Sequence, residues 1–405
     1  MSAWTTVELG EVADFIRGIN FKPDDVVPVG TPGSVACMRT KNVQSELDCS
    51  DVWGIDERFV KREDQFLQAG DILVSSANSW NLVGKCCWIP ELPWRATFGG
   101  FVSVLRPRRT KAEPRFLFRW FSSDRIQTTL RSFGQQTTNI SNLNTDRCLK
   151  LPFPLPSLEE QRRIAEVLDR AEALQAKRRA ALARLDILTE SIFLDFFGAT
   201  DNHGWPMATI GEIADTSDGA IRTGPFGSQL LHSEFVDEGV AVLGIDNAVA
   251  NEFRWDELRF ISHAKYRELK RYTVRPGDVL ITIMGTCGRC AVVPDDVPLA
   301  INTKHLCCIT LDQKKCLPIF VHSYFLRHPI ARRYLDKTAK GAIMSGLNMG
   351  IIKAMPIPLP PIELQRKFAS CVAGNGKVKT AYRAALAELN ALFAAIQHRA
   401  FRGAL

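Results

Sequence analysis

Pro152-Phe-Pro-Leu-Pro-Ser-Leu-Glu-Glu-Gln-Arg162 and Pro356-Ile-Pro-Leu-Pro-Pro-Ile-Glu-Leu-Gln-Arg366 are two versions of one joint. Alternating prolines fix φ, remove backbone donors and push the preceding residue away from helix, so each joint starts as extended chain. Where the prolines stop, apolar residues fall into helical steps. Residues 158 to about 197 carry Ile164, Leu168, Ala171, Leu174, Ala181, Leu185, Leu188 and Ile192. Residues 362 to about 402 carry Leu364, Phe368, Cys371, Val378, Tyr382, Ala385, Leu389, Leu392 and Ile396. At ~1.5 Å per residue each helix would span roughly 60 Å, more than one small domain needs. Positions 164, 174, 181, 185, 188 and 192 recur as 368, 378, 385, 389, 392 and 396, which predicts a shared heptad register and helices that pack on each other. Gly374-Asn375-Gly376 is expected to interrupt the second helix, as a kink or a docking point.

The joints belong to a repeat that covers the chain at an offset of about 204 residues. Trp4-x-x-Val-Glu-Leu-Gly-Glu-Val-Ala-Asp14 returns as Trp205-x-x-Ala-Thr-Ile-Gly-Glu-Ile-Ala-Asp215, and Gly70-Asp-Ile-Leu-Val-Ser75 as Gly277-Asp-Val-Leu-Ile-Thr282. Gly84-Lys-Cys86 returns as Gly288-Arg-Cys290, and Leu143-Asn144 as Leu347-Asn348. Ahead of each joint lie about 150 residues of short Val/Ile/Phe-rich runs broken by Gly, Pro, Asn and Asp, which reads as a mixed, β-rich domain. The expected fold class is α+β with an internal pseudo-twofold repeat: two mixed domains at 1–157 and 199–361, separated by two long antiparallel coiled-coil helices at 158–198 and 362–405.

Composition narrows the function. The chain has 405 residues and a net charge of +7, enough for an acidic partner without demanding one. No apolar stretch approaches the ~20 residues of a membrane span, and Met1-Ser2-Ala3-Trp4 lacks a signal-peptide layout, so a cytoplasmic protein without membrane contact is expected. Eleven scattered or adjacent cysteines read as reduced thiols. Cys287-Gly-Arg-Cys290 is half a zinc motif that only His305 or Cys316 could complete, and no metal site is expected.

Catalytic motifs are missing: no phosphate-binding glycine loop, no His-Glu-x-x-His, and no Asn-Pro-Pro-Tyr/Phe tetrapeptide of an adenine methyltransferase. Pro294-Asp295 followed by Asp312-Gln-Lys314 has the spacing of a Mg²⁺-dependent nuclease and keeps a stand-alone nuclease open as an alternative. A coiled-coil scaffold without DNA contact is the other. In place of catalytic groups there are polar, glycine-bearing loops at the ends of β-like runs. These are 75–81 with Gly84-Lys85, 133–142, 283–289 and 340–348. Asn and Gln can bond adenine in two-pronged fashion, while Arg and Lys suit guanine or phosphate. The candidate DNA contacts are therefore Asn78, Lys85, Gln136, Asn139, Arg289 and Lys340.

Gln136-Thr-Thr-Asn-Ile-Ser-Asn-Leu-Asn144, the joint that follows it, and the closing Ala394-Ala-Ile-Gln-His-Arg-Ala-Phe-Arg-Gly403 resemble the specificity subunits of type I restriction-modification systems. The likeness covers the whole chain, although Leu364 stands where the family's second joint is usually acidic and 341–345 departs from the Ser/Thr-Gln-rich loop. The resemblance implies two target recognition domains, each reading half of a bipartite, asymmetric site on double-stranded DNA, and no catalysis by this chain. It also implies two modification subunits that use S-adenosylmethionine to methylate adenine N6, and restriction subunits that use ATP and Mg²⁺ to translocate and cut DNA. This chain would bind no cofactor.

Overall fold

The computed structural model describes residues 4–136, 140–198, 204–255, 257–339 and 347–405. They form two compact units, residues 1–179 with 384–405 and residues 180–383.

The first unit is built on two four-stranded sheets. One runs in the order 13–17, 102–107, 72–75, 86–88 and is antiparallel throughout. The other runs 26–27, 53–56, 34–38, 96–98, with a parallel pairing of 34–38 to 96–98. Ile72–Ser75 is buried at every position, as expected of a strand covered on both faces. The second unit repeats the plan. Its antiparallel sheet runs 221–223, 306–309, 279–282, 290–292, and its second sheet pairs 240–243 with 300–302 in parallel. The register makes Ala36-Cys37-Met38 equivalent to Ala241-Val242-Leu243, and the Gly84-Lys85 turn equivalent to Gly288-Arg289. Both glycines need the left-handed backbone, with φ of 82° and 79°.

Each Gly-Asp turn buries a carboxylate. Asp71 accepts the Gln68 N–H at 2.8 Å and both arms of Arg106 at 2.8 and 2.7 Å. Asp278 accepts the Arg275 N–H at 2.9 Å, Arg222 at 2.6 Å and the Thr310 hydroxyl at 2.6 Å. The carboxylate keeps its place in the repeat while its arginine moves to the neighbouring strand. Phe15 and Ile221 pair with the equivalent residues Leu105 and Ile309, so Arg222 stands at the position of Ile16, and Thr310 at that of Arg106.

The joints are as extended as their prolines require. Pro152–Leu155 pairs with Thr5–Glu8, and Pro356–Pro358 with Met207–Thr209. Each passes into a long helix, Leu158–Phe197 and Ile362–Ala400. A fully buried glutamine makes each turn rigid. Gln161 Oε1 accepts the Glu113 N–H at 2.8 Å, and its Nε2 donates to the Lys111 and Pro156 carbonyls at 3.1 and 2.9 Å. Gln365 accepts from Leu317 at 2.8 Å and donates to Lys315 and Pro360 at 3.2 and 2.9 Å. The departure at Leu364 therefore leaves the joint intact: Glu160 faces solvent and pairs with Arg163, whereas Leu364 packs beside the second core.

Within each unit, segments of the two helices run in opposite directions. In the first, Gln175 donates to the Leu389 carbonyl at 3.3 Å and Arg163 to that of Leu405 at 3.3 Å. In the second, Asn375 donates to the Leu185 carbonyl at 2.9 Å and to Thr189 Oγ1 at 2.7 Å. Buried or half-buried positions follow a three-four spacing at 161, 164, 168, 171, 175, 178, 182, 185, 189, 192 and 196. They recur at 365, 368, 372, 375, 379, 382, 386, 389, 393, 396 and 400. The predicted seam needs two corrections. Leu174, Leu188, Val378 and Leu392 lie beside it and are 53%, 45%, 43% and 54% exposed, and Cys371 is exposed too, because the seam runs one residue further on, through Gln175, Thr189, Lys379, Phe393 and Val372. The helix is also unbroken at Gly374-Asn375-Gly376, where Asn375 is buried and bonded across to the other helix.

Gln161→Leu removes the partner of one buried N–H and two carbonyls, which costs on the order of 3 kcal/mol. Gln365→Leu is expected to cost as much in the second unit. Urea unfolding of the two full-length variants measures this, and wild-type midpoints in both would refute the clamp.

Candidate nucleic-acid interface

The predicted contacts Asn78, Lys85 and Gln136 come together at the end of strand Ile72–Ser75. Ala77–Asn78 and Gly134–Gln136 flank Ser141–Leu143 in a three-stranded sheet, with Asn78 and Gln136 both registered on Ser141. Asn78 Nδ2 donates to Ser75 Oγ at 3.0 Å, and its Oδ1 accepts the Ser79 N–H at 2.8 Å. The Ser75 N–H reaches the Lys85 carbonyl at 2.8 Å. Half-buried Lys85 points its Nζ to Gln44 Oε1 at 2.6 Å. In the second unit Arg289 holds the place of Lys85, exposed, with its N–H on Thr282 Oγ1 at 2.9 Å. Asn139 and Lys340 lie outside the described residues.

Beside each of these strand ends the structure opens a cleft that the motifs did not reveal. In the first unit a cavity of about 500 Å³ is lined by Asn20, Phe21, Arg39, Lys41, Trp53 and Phe101. Phe101 is 64% exposed, and its carbonyl accepts the N–H groups of Ser76 and Ala77, so the cleft adjoins the loop that carries Asn78. In the second unit a cavity of about 490 Å³ is lined by Pro225, His232, Phe235, Arg259, Lys304 and His305. Burial, Lys304 and Arg259 hold the His305 imidazole below its usual range.

The two clefts are equivalent, because each begins where the parallel strand pair ends. Arg39 follows Met38, and Gly244 follows the equivalent Leu243. Both backbones are held alike: the Arg39 N–H donates to Asn42 Oδ1 at 2.7 Å and the Gly244 N–H to Asn247 Oδ1 at 2.8 Å. Next to them Trp53 pairs with Cys37, and Arg259 accepts from the equivalent Val242. The Arg39 guanidinium lies 3.6 Å over the Trp53 ring and 3.0 Å from Asp51, which also takes Lys41 at 2.6 Å. Arg259 sits between Asp246 at 2.7 Å and Glu257 at 2.8 Å. Sequence reading missed these residues because each cleft is assembled from several separated segments. The short run Arg39-Thr40-Lys41 was its only local signal.

Among the described residues no group of three or more His, Cys, Asp or Glu could hold a metal. Cys290 and Cys316 are core residues, and burial raises the Cys316 thiol to about 12. Asp312 closes a turn, accepting the Lys314 N–H at 3.1 Å and pairing with Lys315 at 3.4 Å. No helix among the described residues is long and apolar enough to cross a membrane.

A duplicated α+β frame with a basic and aromatic cleft at the strand ends of each copy defines a polynucleotide-recognition protein. The chain belongs to the type I restriction modification DNA specificity domain family, whose model matches residues 1–184 and 245–373. The type I restriction enzyme StySPI specificity subunit of Salmonella potsdam is 24% identical over 430 residues, spanning 99% of this chain and 89% of the relative. The EcoKI specificity subunit of Escherichia coli K12 is 25% identical over 437 residues, with the same coverage. The crystal structure of a type I restriction-modification S subunit from M. genitalium superposes with a TM-score of 0.60 at 15% identity, covering 98% of this chain and 96% of that one. A chain from a structural study of assembly and conformational transition in a type I R-M system gives 0.57 at 20% identity, covering 100% and 99%.

Lys85→Ala and Arg289→Ala are expected to weaken duplex binding by the assembled complex alike for all sequences. Each should reduce the slope of log affinity against log salt by about one. Binding titrations from low to physiological salt test this, and unchanged slopes for both would remove these residues from the interface.

Proposed function

We propose that this chain is the DNA-reading, non-catalytic specificity subunit of a type I restriction-modification complex acting in the cytoplasm. Residues 1–157 and 199–361 are the two readers, and 158–198 and 362–405 the antiparallel coiled coil that carries them. The observation that supports this best is the repetition of one strand-end cleft with different side chains in each copy. A duplicated frame with divergent linings suits a bipartite, asymmetric target on double-stranded DNA. Asn78, Lys85, Gln136 and Arg289 contact that duplex from the strand ends, and Asn139 and Lys340 complete the set. Neither the nuclease nor the DNA-free scaffold gains support from the relatives, all named as specificity subunits.

The catalytic partners are two modification subunits, which carry S-adenosylmethionine, and restriction subunits, which carry ATP and Mg²⁺. The stoichiometry of two rests on the exposed leucines and valine beside the helix seam. Leu174 and Leu392 lie in the first unit, and their repeat equivalents Val378 and Leu188 in the second. Exposed apolar residues repeated at matching positions suit two copies of one partner.

Mapping methylated adenines in cells that carry the chain with its modification subunit is expected to give a two-part motif. Replacing residues 1–150 by another member's first domain should change one half only, and a change in both halves would refute modular reading. Leu174→Asp with Leu392→Asp should lower the bound modification subunits from two to one in native mass spectrometry. Retention of two would refute that docking site.

A further inference from the structure

The two clefts differ in a regular way. In the first unit the guanidinium comes from position 39, at the end of the central strand, and the neighbouring strand supplies Trp53 beneath it. In the second unit the strand-end position is Gly244, and the guanidinium comes from Arg259, at the place of Trp53. A Cβ on Gly244 would lie 2.9 Å from Arg259 Nη1, so this guanidinium fills the space that a side chain at 244 would claim. Asp51 and Glu257 also stand at equivalent positions, two residues before Trp53 and Arg259, and each binds the guanidinium of its own unit. Glu257 does so from a left-handed backbone, φ 48°, a conformation that costs a residue with a side chain on the order of 1 kcal/mol. Two sequences thus place a carboxylate-braced guanidinium at the same lip of the same cleft by exchanging which strand supplies it.

We propose that Arg39 and Arg259 are the specificity-determining residues of the two readers, each bonding the edge of one base pair in its half of the DNA site. The proposal rests on the DNA-reading function above. Bracing argues for a base and against phosphate. A phosphate contact draws its affinity from uncompensated charge and counterion release. Arg259 faces two carboxylates and offers no free unit of charge, while Arg39 is tied to Asp51 and stacked on Trp53, which leaves the one uncompensated charge of its cluster to be shared with the more exposed Lys41. What bracing leaves is a planar fork held in one orientation, the geometry that bonds a base edge in two-pronged fashion. Asp246 and Glu257 would repel a phosphate outright, whereas a carboxylate accepts from the amino group of cytosine or adenine. The first cluster, two cations to one carboxylate beside an aromatic ring, suits the acceptor edge of guanine. The second, one cation to two carboxylates, suits a pair that presents an amino group as well as an acceptor.

The test uses Arg39→Lys and Arg259→Lys in the full chain, co-expressed with its modification subunits. Lysine keeps the charge and loses the fork. Genome-wide mapping of methylated adenines is expected to show one position of one half-site relaxed by Arg39→Lys and one position of the other half by Arg259→Lys. Discrimination at that pair should fall about tenfold to a hundredfold. Competition between the mapped site and its single-base variants should show the same loss, with the salt slope unchanged. A wild-type motif in the variants, or uniformly weaker methylation with the motif unchanged, overturns the proposal. Arg259→Lys decides alone if Arg39→Lys, which disturbs the stack on Trp53, does not assemble. A wild-type complex that places no two-part methylation mark would instead refute the DNA-reading function itself.

Discussion

The structure depends on a single buried amide in each half. Gln161 and Gln365 are fully inaccessible, and each ties three backbone groups that no regular element satisfies. Two of these partners lie just before the helices that start at Pro114 and Pro318, and the third lies in the proline joint. A backbone donor or acceptor buried without a partner costs ~1–3 kcal/mol, so the amide does more than add bonds. It makes one direction of the long helix the only one that leaves all three groups satisfied. Proline supplies the extended entry and cannot by itself set the angle at which helix follows strand. The glutamine fixes that angle against the domain's own core. At one end of the contact Phe116 meets Phe401 at 5.4 Å, and at its repeat Phe320 meets Phe197 at 4.8 Å.

A second constraint lets the two halves diverge around this frame. Asp71 and Asp278 are buried carboxylates at the base of the central hairpin, and a carboxylate removed from water must be paired. The pairing requirement concerns a place in space and is indifferent to the strand that meets it. Arg106 meets it from one strand and Arg222 from another. Arg39 and Arg259 show the same freedom at the lip of the clefts. A long, flexible side chain ending in a rigid fork can approach one point from two neighbouring strands, and sheet geometry keeps such positions within ~5 Å of each other.

This freedom explains what could be read from the sequence and what could not. Features carried by backbone chemistry were legible: the proline joints, the Gly-Asp turns, the Gly84 and Gly288 hairpins and both long helices. They depend on residues that act locally, so their spacing survives in the chain. The helix seam was legible only in part. Hydrophobicity selected Leu174 and Leu188, but buried Gln175 and half-buried Thr189 occupy the seam, because an amide or hydroxyl that bonds to the opposite helix can leave water where an unpaired one cannot. Gly374-Asn375-Gly376 misled for the same reason. Its glycines are poor helix formers, yet Asn375 recovers the loss through its bonds to Leu185 and Thr189. Among the candidate contacts, the equivalence of Lys85 and Arg289 was legible because both follow a repeated glycine. The clefts were not, since the arginine that distinguishes them changes strand between the copies and so leaves no repeated position to find.

Division of labour between frame and lining follows from these two constraints taken together. A reader of an asymmetric target must present two different surfaces, while both must meet a regular double helix in the same way. If the surfaces diverged through backbone changes, the angle of each reader to its helix would drift with every change in specificity. Here the angle is set by the glutamine joint, the hairpin by a buried carboxylate, and the strand-end turn by Asn42 or Asn247 bonding the backbone three residues earlier. All three are buried and lie outside the cleft's distinguishing side chains. The ion-paired cluster at the lip can then change, from two cations on one carboxylate to one cation between two carboxylates, without disturbing a bond that holds the frame. The stability of such a protein is carried by groups that never meet its ligand, which leaves the groups that do meet it free to differ.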